Sequence, residues 1–249
     1  MTLDACAALV QRGDPDRFLA VMAAPLHARA QLFPLYAFNL EVARAPWVTE
    51  EPLIAEMRLQ WWRDVVENAA SGAAKAHEVA GPLHALISNF GLPVAVLDCL
   101  IAARRWDIQR DPHDSLAALS DYLEDTGAGL MWLAARALGA PDAAETTVRA
   151  FGWATAVAGY LRAVPELQAR GRQPLPDGVT QVDLATTGLQ ALALARKGRR
   201  AVPSAVAPAL LAGWQTQAVL RGAVAGKSLE LSPFQLRGRL VWQAFTGRW

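Results

Sequence analysis

Two segments of the sequence, residues 36–47 and 162–172, combine arginines with other polar side chains at helical spacing. They hold, in chain order, Tyr36, Asn39, Glu41, Arg44, Arg162, Glu166, Arg170 and Arg172. Guanidinium groups bind phosphate and carboxylate oxygens through paired N–H donors, so these segments could hold the anionic head of an amphiphile. The alternative is that glutamates and arginines three or four residues apart pair within one helix and need no ligand. The candidate pairs are Glu41–Arg44, Glu166–Arg162 and Glu166–Arg170.

The second segment resembles a signature of the squalene/phytoene synthase family, which reads R-D-x-x-E-D and then R-G-R and L-P. Residues 162–176 keep the arginines, the glutamate, the glycine and the final Leu-Pro, but Ala163 and Leu167 stand at the two aspartate positions. The first segment resembles the family's other signature, L-Y-x-F-C-R-x-x-D-D/E-x-x-D. There Ala43 and Trp47 stand at aspartate positions, and an arginine follows the first of them.

The resemblance implies that these four positions carry the metal chemistry of the active family members. In those enzymes, D-x-x-x-D pairs on facing helices hold Mg²⁺, which neutralises the diphosphate of a prenyl substrate. Alanine, leucine and tryptophan offer Mg²⁺ no oxygen ligand. We therefore predict no catalytic residue, no metal site and no cofactor, with Mg²⁺ expected only if the protein is still a prenyltransferase.

One branch of the family is especially similar to this chain, through L-Y-A-F-N-x-E-x-A-R at residues 35–44 and R-L-Q-W-W-R-D at residues 58–64. That branch contains bacterial proteins of unassigned activity and a mitochondrial assembly factor for respiratory complex I. The resemblance implies a protein that assists assembly of a respiratory membrane complex, with a complex I subunit or assembly intermediate as partner. Two alternatives stay open: a binder of a prenyl lipid or phospholipid in the former active-site cavity, and a head-to-head prenyl diphosphate transferase.

The resemblance also implies which side chains line the family's central cavity. Besides the eight polar residues of the two segments, we expect Arg58, Trp62 and Tyr122 there. We also expect Trp47 near the mouth of the cavity, where it could close the opening.

Two further pairs of aspartates have the same four-residue spacing, Asp107/Asp111 and Asp121/Asp125. Both lie outside the positions of the family's metal ligands. Turn and capping roles explain the acids before Ser115, and acids early in a helix favour its dipole. We therefore predict structural roles for these pairs rather than a metal site.

The composition favours a large helical core, with 53% hydrophobic and 19% charged residues among 249 and a net charge of +1. So small a net charge gives no support for nucleic-acid binding. Two cysteines without C-x-x-C spacing indicate a reducing compartment. We expect a cytoplasmic protein, with peripheral contact to the inner membrane as one option.

Basic residues are concentrated after Asp183, where nine arginines and lysines face a single acid, Glu230. Such a region could meet an anionic membrane or an acidic partner, or it could be a solvated surface. At its end, Trp242 and Trp249 alternate with basic residues, and this segment could form an amphipathic helix that docks on a membrane surface or a partner. The accompanying arginines are Arg237, Arg239 and Arg248.

The pattern along the chain predicts helix after helix, with no segment of convincing period-two alternation. We predict an all-α isoprenoid-synthase-like bundle around a central cavity, as one domain over residues 1–249. The signatures fall within residues 16–176, and residues 178–249 form a helical tail. The predicted helices include 52 to Ser71, 93–110, 115–138, 143–169 and 204–224. In the first of them we predict a core stripe formed by Leu53, Met57, Trp61 and Val65. In the helix over residues 143–169 we expect Pro165 to disturb the last turn.

Overall fold

The computed structural model describes residues 3–69, 72 and 74–249 of the chain. Within these residues, all of the regular secondary structure is helical. The α-helices are α1 Leu3–Gly13, α2 Pro15–Met22, α3 Leu26–Arg44, α4 Pro52–Asn68, α5 Ala80–Phe90, α6 Val94–Ala103, α7 Arg105–Ile108, α8 Leu116–Leu123, α9 Gly129–Ala137, α10 Glu145–Ala169, α11 Gln181–Lys197, α12 Ala207–Leu210, α13 Thr216–Val224 and α14 Pro233–Thr246. No β-strand occurs in those residues, so the predicted all-α class is confirmed. None of the described helices is long and apolar enough to cross a bilayer.

Two long helices, α3 and α10, hold the centre of the bundle. In α3 every residue from Leu32 to Leu40 is buried, because this stretch is apolar on nearly all sides and other helices surround it. Helix α10 packs against α9, α11 and α13, and α3 packs against α1, α5 and α9. The two signature segments lie at the C-terminal ends of α3 and α10.

Two glycines let α10 pass close to a π-helical segment, Glu124–Ala128, that joins α8 to α9. A Cβ atom on Gly127 would lie 2.3 Å from the Cβ of Ala156, and one on Gly152 would lie 2.8 Å from the Cα of Ala128. Only residues without side chains permit this approach. The crossing fixes how near the wall formed by residues 122–131 lies to α10.

The predicted core stripe of α4 is wrong in its first half. Leu53 is 71% exposed and Met57 is 65% exposed, whereas Ala55 and Leu59 face the core. A spacing of four residues drifts about 40° around the helix at each step, because one turn takes 3.6 residues. The stripe therefore starts on the solvent side, and within it only Val65 becomes buried.

Three other predicted helices differ from those observed. The helix predicted for residues 93–110 divides at Arg104 into α6 and α7. Residues 204–224 form two 3₁₀ turns, α12 and α13 instead of one helix. Helix α10 starts at Glu145 rather than at residue 143, and it continues through Pro165 to Ala169, the predicted end. Helix α4 ends at Asn68, and the predicted end at Ser71 lies outside the described residues.

Candidate functional site

A cavity of about 970 Å³ lies between the C-terminal halves of α3 and α10. All four positions that the family signatures give to aspartates line it: Ala43 in α3, Trp47 in the 3₁₀ turn that follows, and Ala163 and Leu167 in α10. Ala163 and Leu167 are four residues apart and share one face of α10. Trp47 follows Ala43 at the same spacing, across the end of α3. The backbone positions that could present two pairs of carboxylates to one cavity are therefore present, but they carry other side chains.

The donor set at these positions does not fit Mg²⁺. Two methyl groups, an isobutyl group and an indole supply no oxygen, and Mg²⁺ needs oxygen ligands in near-octahedral geometry. The part of the chain that the structure describes contains no group of three or more histidines, cysteines, aspartates or glutamates that could hold a metal ion.

Trp47 is held between two arginines of the second signature. The guanidinium carbon of Arg170 lies 5.1 Å from the centre of a Trp47 ring, and that of Arg172 lies 5.0 Å away. These distances are within the range of cation–π attraction. The side chain at a position where the family has an aspartate therefore contacts cations, as a carboxylate would, but through an aromatic face.

Both arginines have further partners within the protein. Arg170 forms an ion pair with Glu166 at 2.6 Å, and both side chains are largely exposed. Arg172 donates to the backbone carbonyl of Asp107 at 2.5 Å and to that of Gln109 at 2.6 Å. Arg172 thus ties the loop after α10 to the end of α7.

A buried polar network forms another wall of the cavity. The Tyr122 hydroxyl donates to the carboxylate of Asp107, with oxygen–oxygen distances of 3.0 and 3.1 Å, and accepts a hydrogen bond from Arg104 Nη1 at 2.6 Å. Asp107 is 5% exposed. Burial raises the pKa of its carboxyl group, and Arg104 and the Tyr122 hydroxyl oppose this effect. Burial also raises the pKa of the Tyr122 hydroxyl, which stays protonated and can act as the donor.

His113 completes an aromatic group beside this network. Its ring stacks on Trp106 at 3.6 Å between centroids and 9° between planes, and it lies 5.2 Å from the Tyr122 ring. Its Nε2 atom is buried without a hydrogen-bond partner among the described residues. Burial lowers the pKa of His113 to about 4, so the ring is neutral near neutral pH.

On the opposite wall, Tyr36 and Asn39 project from α3. Tyr36 is 2% exposed and lies under the guanidinium of Arg17 at 5.0 Å, and burial raises the pKa of its hydroxyl to about 12. The Oδ1 atom of Asn39 is buried with no hydrogen-bond partner among the described residues. This acceptor is free to receive a donor from a bound molecule.

The structure brings only part of the expected residue set into the cavity. Seven of the expected side chains line it: Tyr36, Asn39, Arg44, Tyr122, Glu166, Arg170 and Arg172. The other four, Glu41, Arg58, Trp62 and Arg162, do not. Arg58 is exposed on α4, because it follows the solvent side of that helix. Trp62 is buried instead against Phe38, 5.4 Å away in an edge-to-face arrangement.

The intrahelical ion pairs have a mixed outcome. Glu166–Arg170 is confirmed. Arg162 does not pair with Glu166; it forms a 2.8 Å ion pair with Asp16 on α2, which lies closer across the bundle surface. No ion pair joins Glu41 to Arg44 in the described part of the chain.

Sequence reasoning did not assign several residues to the cavity. For the pair Asp107/Asp111 we predicted a structural role. The carboxylate of Asp107 instead belongs to the polar network in the cavity wall, whereas Asp111 is exposed beyond the end of α7. Tyr122, the partner of Asp107, is fifteen residues away, a distance that no helical periodicity connects. Arg104 could have been suspected from its three-residue spacing to Asp107. The cavity residues Arg12 and Arg17 come from helices outside both signatures.

The chain resembles known proteins both in sequence and in fold. A family model for squalene/phytoene synthase matches residues 10–210. Assembly factor 6 of NADH dehydrogenase (ubiquinone) complex I from Bos taurus is 28% identical over 185 residues, which is 72% of this chain and 56% of that protein. The protein of the same name from Homo sapiens is 27% identical over the same shares. The chain thus spans little more than half the length of the curated relatives it matches.

Solved structures of similar fold are prenyl synthases. A dehydrosqualene synthase in complex with ligand superposes with a TM-score of 0.79 at 14% identity, over 96% of this chain and 94% of that one. Squalene synthase HpnC from Alicyclobacillus acidocaldarius superposes with a TM-score of 0.72 at 18% identity, over 98% and 94% of the two chains. These structures confirm the predicted isoprenoid-synthase-like fold. With the family model matching well over half of its length, the chain belongs to the squalene/phytoene synthase family.

Proposed function

We propose that this protein no longer transfers prenyl groups and instead assists the assembly of a respiratory membrane complex, complex I. The observation that carries the proposal is the replacement of both carboxylate pairs, at positions that face one cavity, by Ala43, Trp47, Ala163 and Leu167. Relatives named as complex I assembly factors support the same role. The proposed partner is a complex I subunit or an assembly intermediate, met in the cytoplasm at the surface of the inner membrane.

A deletion strain tests the assembly role. We expect membranes from such a strain to lose NADH:quinone oxidoreductase activity while succinate oxidation is intact, and expect the intact gene to restore the loss. The Ala163→Ser variant serves as a matched control for the cavity, because it adds one small hydroxyl without making a carboxylate, and it should restore activity equally. Unchanged NADH oxidation in the deletion strain would overturn the assembly role.

A second candidate is favoured by the cavity itself, namely that it holds an anionic amphiphile such as a prenyl lipid or a phospholipid. The cavity volume of about 970 Å³ is at the upper end of the roughly 300–1,000 Å³ of small-molecule sites. Leu123, Leu130 and Met131 line it together with the arginine pair beside Trp47. In this proposal guanidinium groups take the phosphate that Mg²⁺ takes in active enzymes.

Binding of farnesyl diphosphate with and without Mg²⁺ tests this second candidate. We expect equal affinity in Mg²⁺ and in a chelator, and a loss of about tenfold for Arg172→Gln, since a charge-assisted hydrogen bond contributes on the order of 1.5 kcal/mol. Arg136→Gln is the matched control, because Arg136 pairs with the exposed Asp142 and does not line the cavity. Affinity that depends on Mg²⁺ would contradict arginine-based binding.

A further inference from the structure

The C-terminal helix α14 is fixed to the bundle by one face. Its buried residues are Leu240 and Gln243. The side-chain amide of Gln243 donates to the backbone carbonyl of Leu210 at 2.8 Å, inside the protein. This face is therefore already committed to the core.

The chain after α14 is fixed as well. Trp249 is 8% exposed and its ring lies 4.7 Å from that of Phe151. Arg196 donates to the carbonyl of Trp249 at 3.1 Å, and Arg199 donates to the carbonyl of Gly247. The sequence prediction was thus half wrong about the terminal tryptophans, because Trp249 is a core residue whereas Trp242 is exposed. With both its inner face and its end attached, α14 cannot turn its outer face inward.

The outer face of α14 is apolar and exposed. Phe234 is 87% exposed, Val241 66%, Trp242 61% and Phe245 90%. In sequence order, each of these residues follows the previous one by seven, one and three positions. At 3.6 residues per turn these spacings place all four on one side of the helix, opposite Leu240 and Gln243. Exposed apolar patches of this kind mark interaction sites, because leaving large aromatic side chains in water is unfavourable.

Basic side chains border this apolar face. Arg237 and Arg239 are exposed on its two sides, and neither forms an ion pair within the residues that the structure describes. The whole region after Asp183 has nine basic residues and one acid. An apolar face with aromatic residues and arginines along its edges is the pattern of helices that lie in a lipid–water interface.

We propose that α14 docks on an anionic phospholipid bilayer, with Phe234, Trp242 and Phe245 among the acyl chains and the arginines among the headgroups. The exposed arginines favour an anionic occupant over a neutral one. The aromatic side chains between them favour a lipid–water interface over an acidic protein, because such rings sit at the level of the headgroups. The proposal is independent of the assembly role, because a membrane surface can be bound whatever the cavity holds.

Flotation of the full chain with vesicles tests the proposal. We expect binding to phosphatidylcholine vesicles that contain phosphatidylglycerol, little binding to phosphatidylcholine alone, and weaker binding at high salt. Phe234→Ser with Phe245→Ser should weaken binding at least about tenfold, since each buried phenyl ring contributes more than 1 kcal/mol. Arg237→Gln with Arg239→Gln should weaken it about thirtyfold on the anionic vesicles alone, at roughly 1 kcal/mol per arginine near the surface.

Leu53→Ser with Met57→Ser is the matched control. It removes two apolar side chains that are similarly exposed but lie on α4, outside the basic region after Asp183, and should leave vesicle binding unchanged. Absence of binding to the anionic vesicles, or an equal loss in the control, would overturn the proposal. So would light scattering without lipid that shows a dimer in the wild type and a monomer in the phenylalanine variant, because the face would then belong to a second copy of this chain.

Discussion

At the scale of single residues, Trp47 shows how a cavity position where the family signature has an aspartate can contact cations without a carboxylate. An indole face attracts the guanidinium groups of Arg170 and Arg172, so the two cations of the second signature have a partner without any acid at this position.

Replacing Trp47 tests this interpretation. We expect Trp47→Ala to lower the free energy of unfolding by about 1–2 kcal/mol, because two cation–π contacts of roughly 0.5–1 kcal/mol each are lost. Trp47→Phe should lose less, since a phenyl ring keeps part of the attraction. Urea unfolding of the two variants beside the wild type measures the difference, and equal losses in both would show that ring size rather than the arginine contact matters.

His113 gives the protein a dependence of stability on pH. The imidazole takes a proton near pH 6.5 when unfolded but only near pH 4 when folded, because burial lowers its pKa. Protonation therefore favours the unfolded chain, and stability falls as the pH falls through that window, by at most about 3 kcal/mol.

The His113→Phe variant should remove this contribution while keeping an aromatic ring against Trp106. We expect its free energy of unfolding to fall less than that of the wild type between about pH 6.5 and 4. Denaturant unfolding at several pH values measures the two slopes. Parallel curves would mean that His113 titrates normally in the folded protein.

At the scale of elements, the crossing of α10 and the π-helical segment sets the shape of the cavity. The segment inserts an extra residue into the helix formed by α8 and α9, and such bulges are found mostly at functional sites. Gly152 is the residue that permits the contact from the side of α10.

Two glycines on the same helix provide a matched comparison. A Cβ atom at Gly152 would lie 2.8 Å from the backbone of Ala128, whereas one at Gly159 would meet no atom within 4 Å. We expect Gly152→Ala to destabilise the protein by about 2 kcal/mol through overpacking. Gly159→Ala should stabilise it by up to about 1 kcal/mol, because alanine favours a helix. Thermal unfolding compares them, and a stable Gly152→Ala would mean that the helices can move apart cheaply.

Sequence patterns predicted the elements well where the pattern was local. Apolar periodicity and the proline and glycine breaks were sufficient for the helical class and for α3. They failed where packing decides, as in α4, where the apolar residues Leu53 and Met57 lie on the exposed side. The candidate site divides in the same way, because the signature positions were visible in the sequence, whereas the contact of Asp107 with Tyr122 arises only when α7 and α8 pack together.

At the scale of the whole molecule, the fold of a prenyl synthase is combined with a site that lacks its metal ligands. The bundle superposes on two prenyl synthases over nearly their whole lengths. The residues that keep this fold are spread over the entire core, whereas the metal chemistry depends on a few carboxylates. A change of function can therefore replace the carboxylates without loss of the fold.

Restoring one carboxylate pair should not restore catalysis. We expect Ala163→Asp with Leu167→Asp to show no turnover of prenyl diphosphates, because the pair across the cavity still has an alanine and a tryptophan. Turnover by this double variant, measured as release of diphosphate in Mg²⁺, would mean that one pair is sufficient for the metal chemistry.

The most direct test of the central claim is an assay of the unmodified protein with farnesyl and geranylgeranyl diphosphate, in the presence of Mg²⁺ and NADPH, with extraction and analysis of the hydrocarbon products. The absence of metal ligands at all four signature positions predicts no condensation product and no release of diphosphate above a heat-denatured control. Formation of squalene, phytoene or their diphosphate precursors would contradict the claim and would make the protein a prenyltransferase.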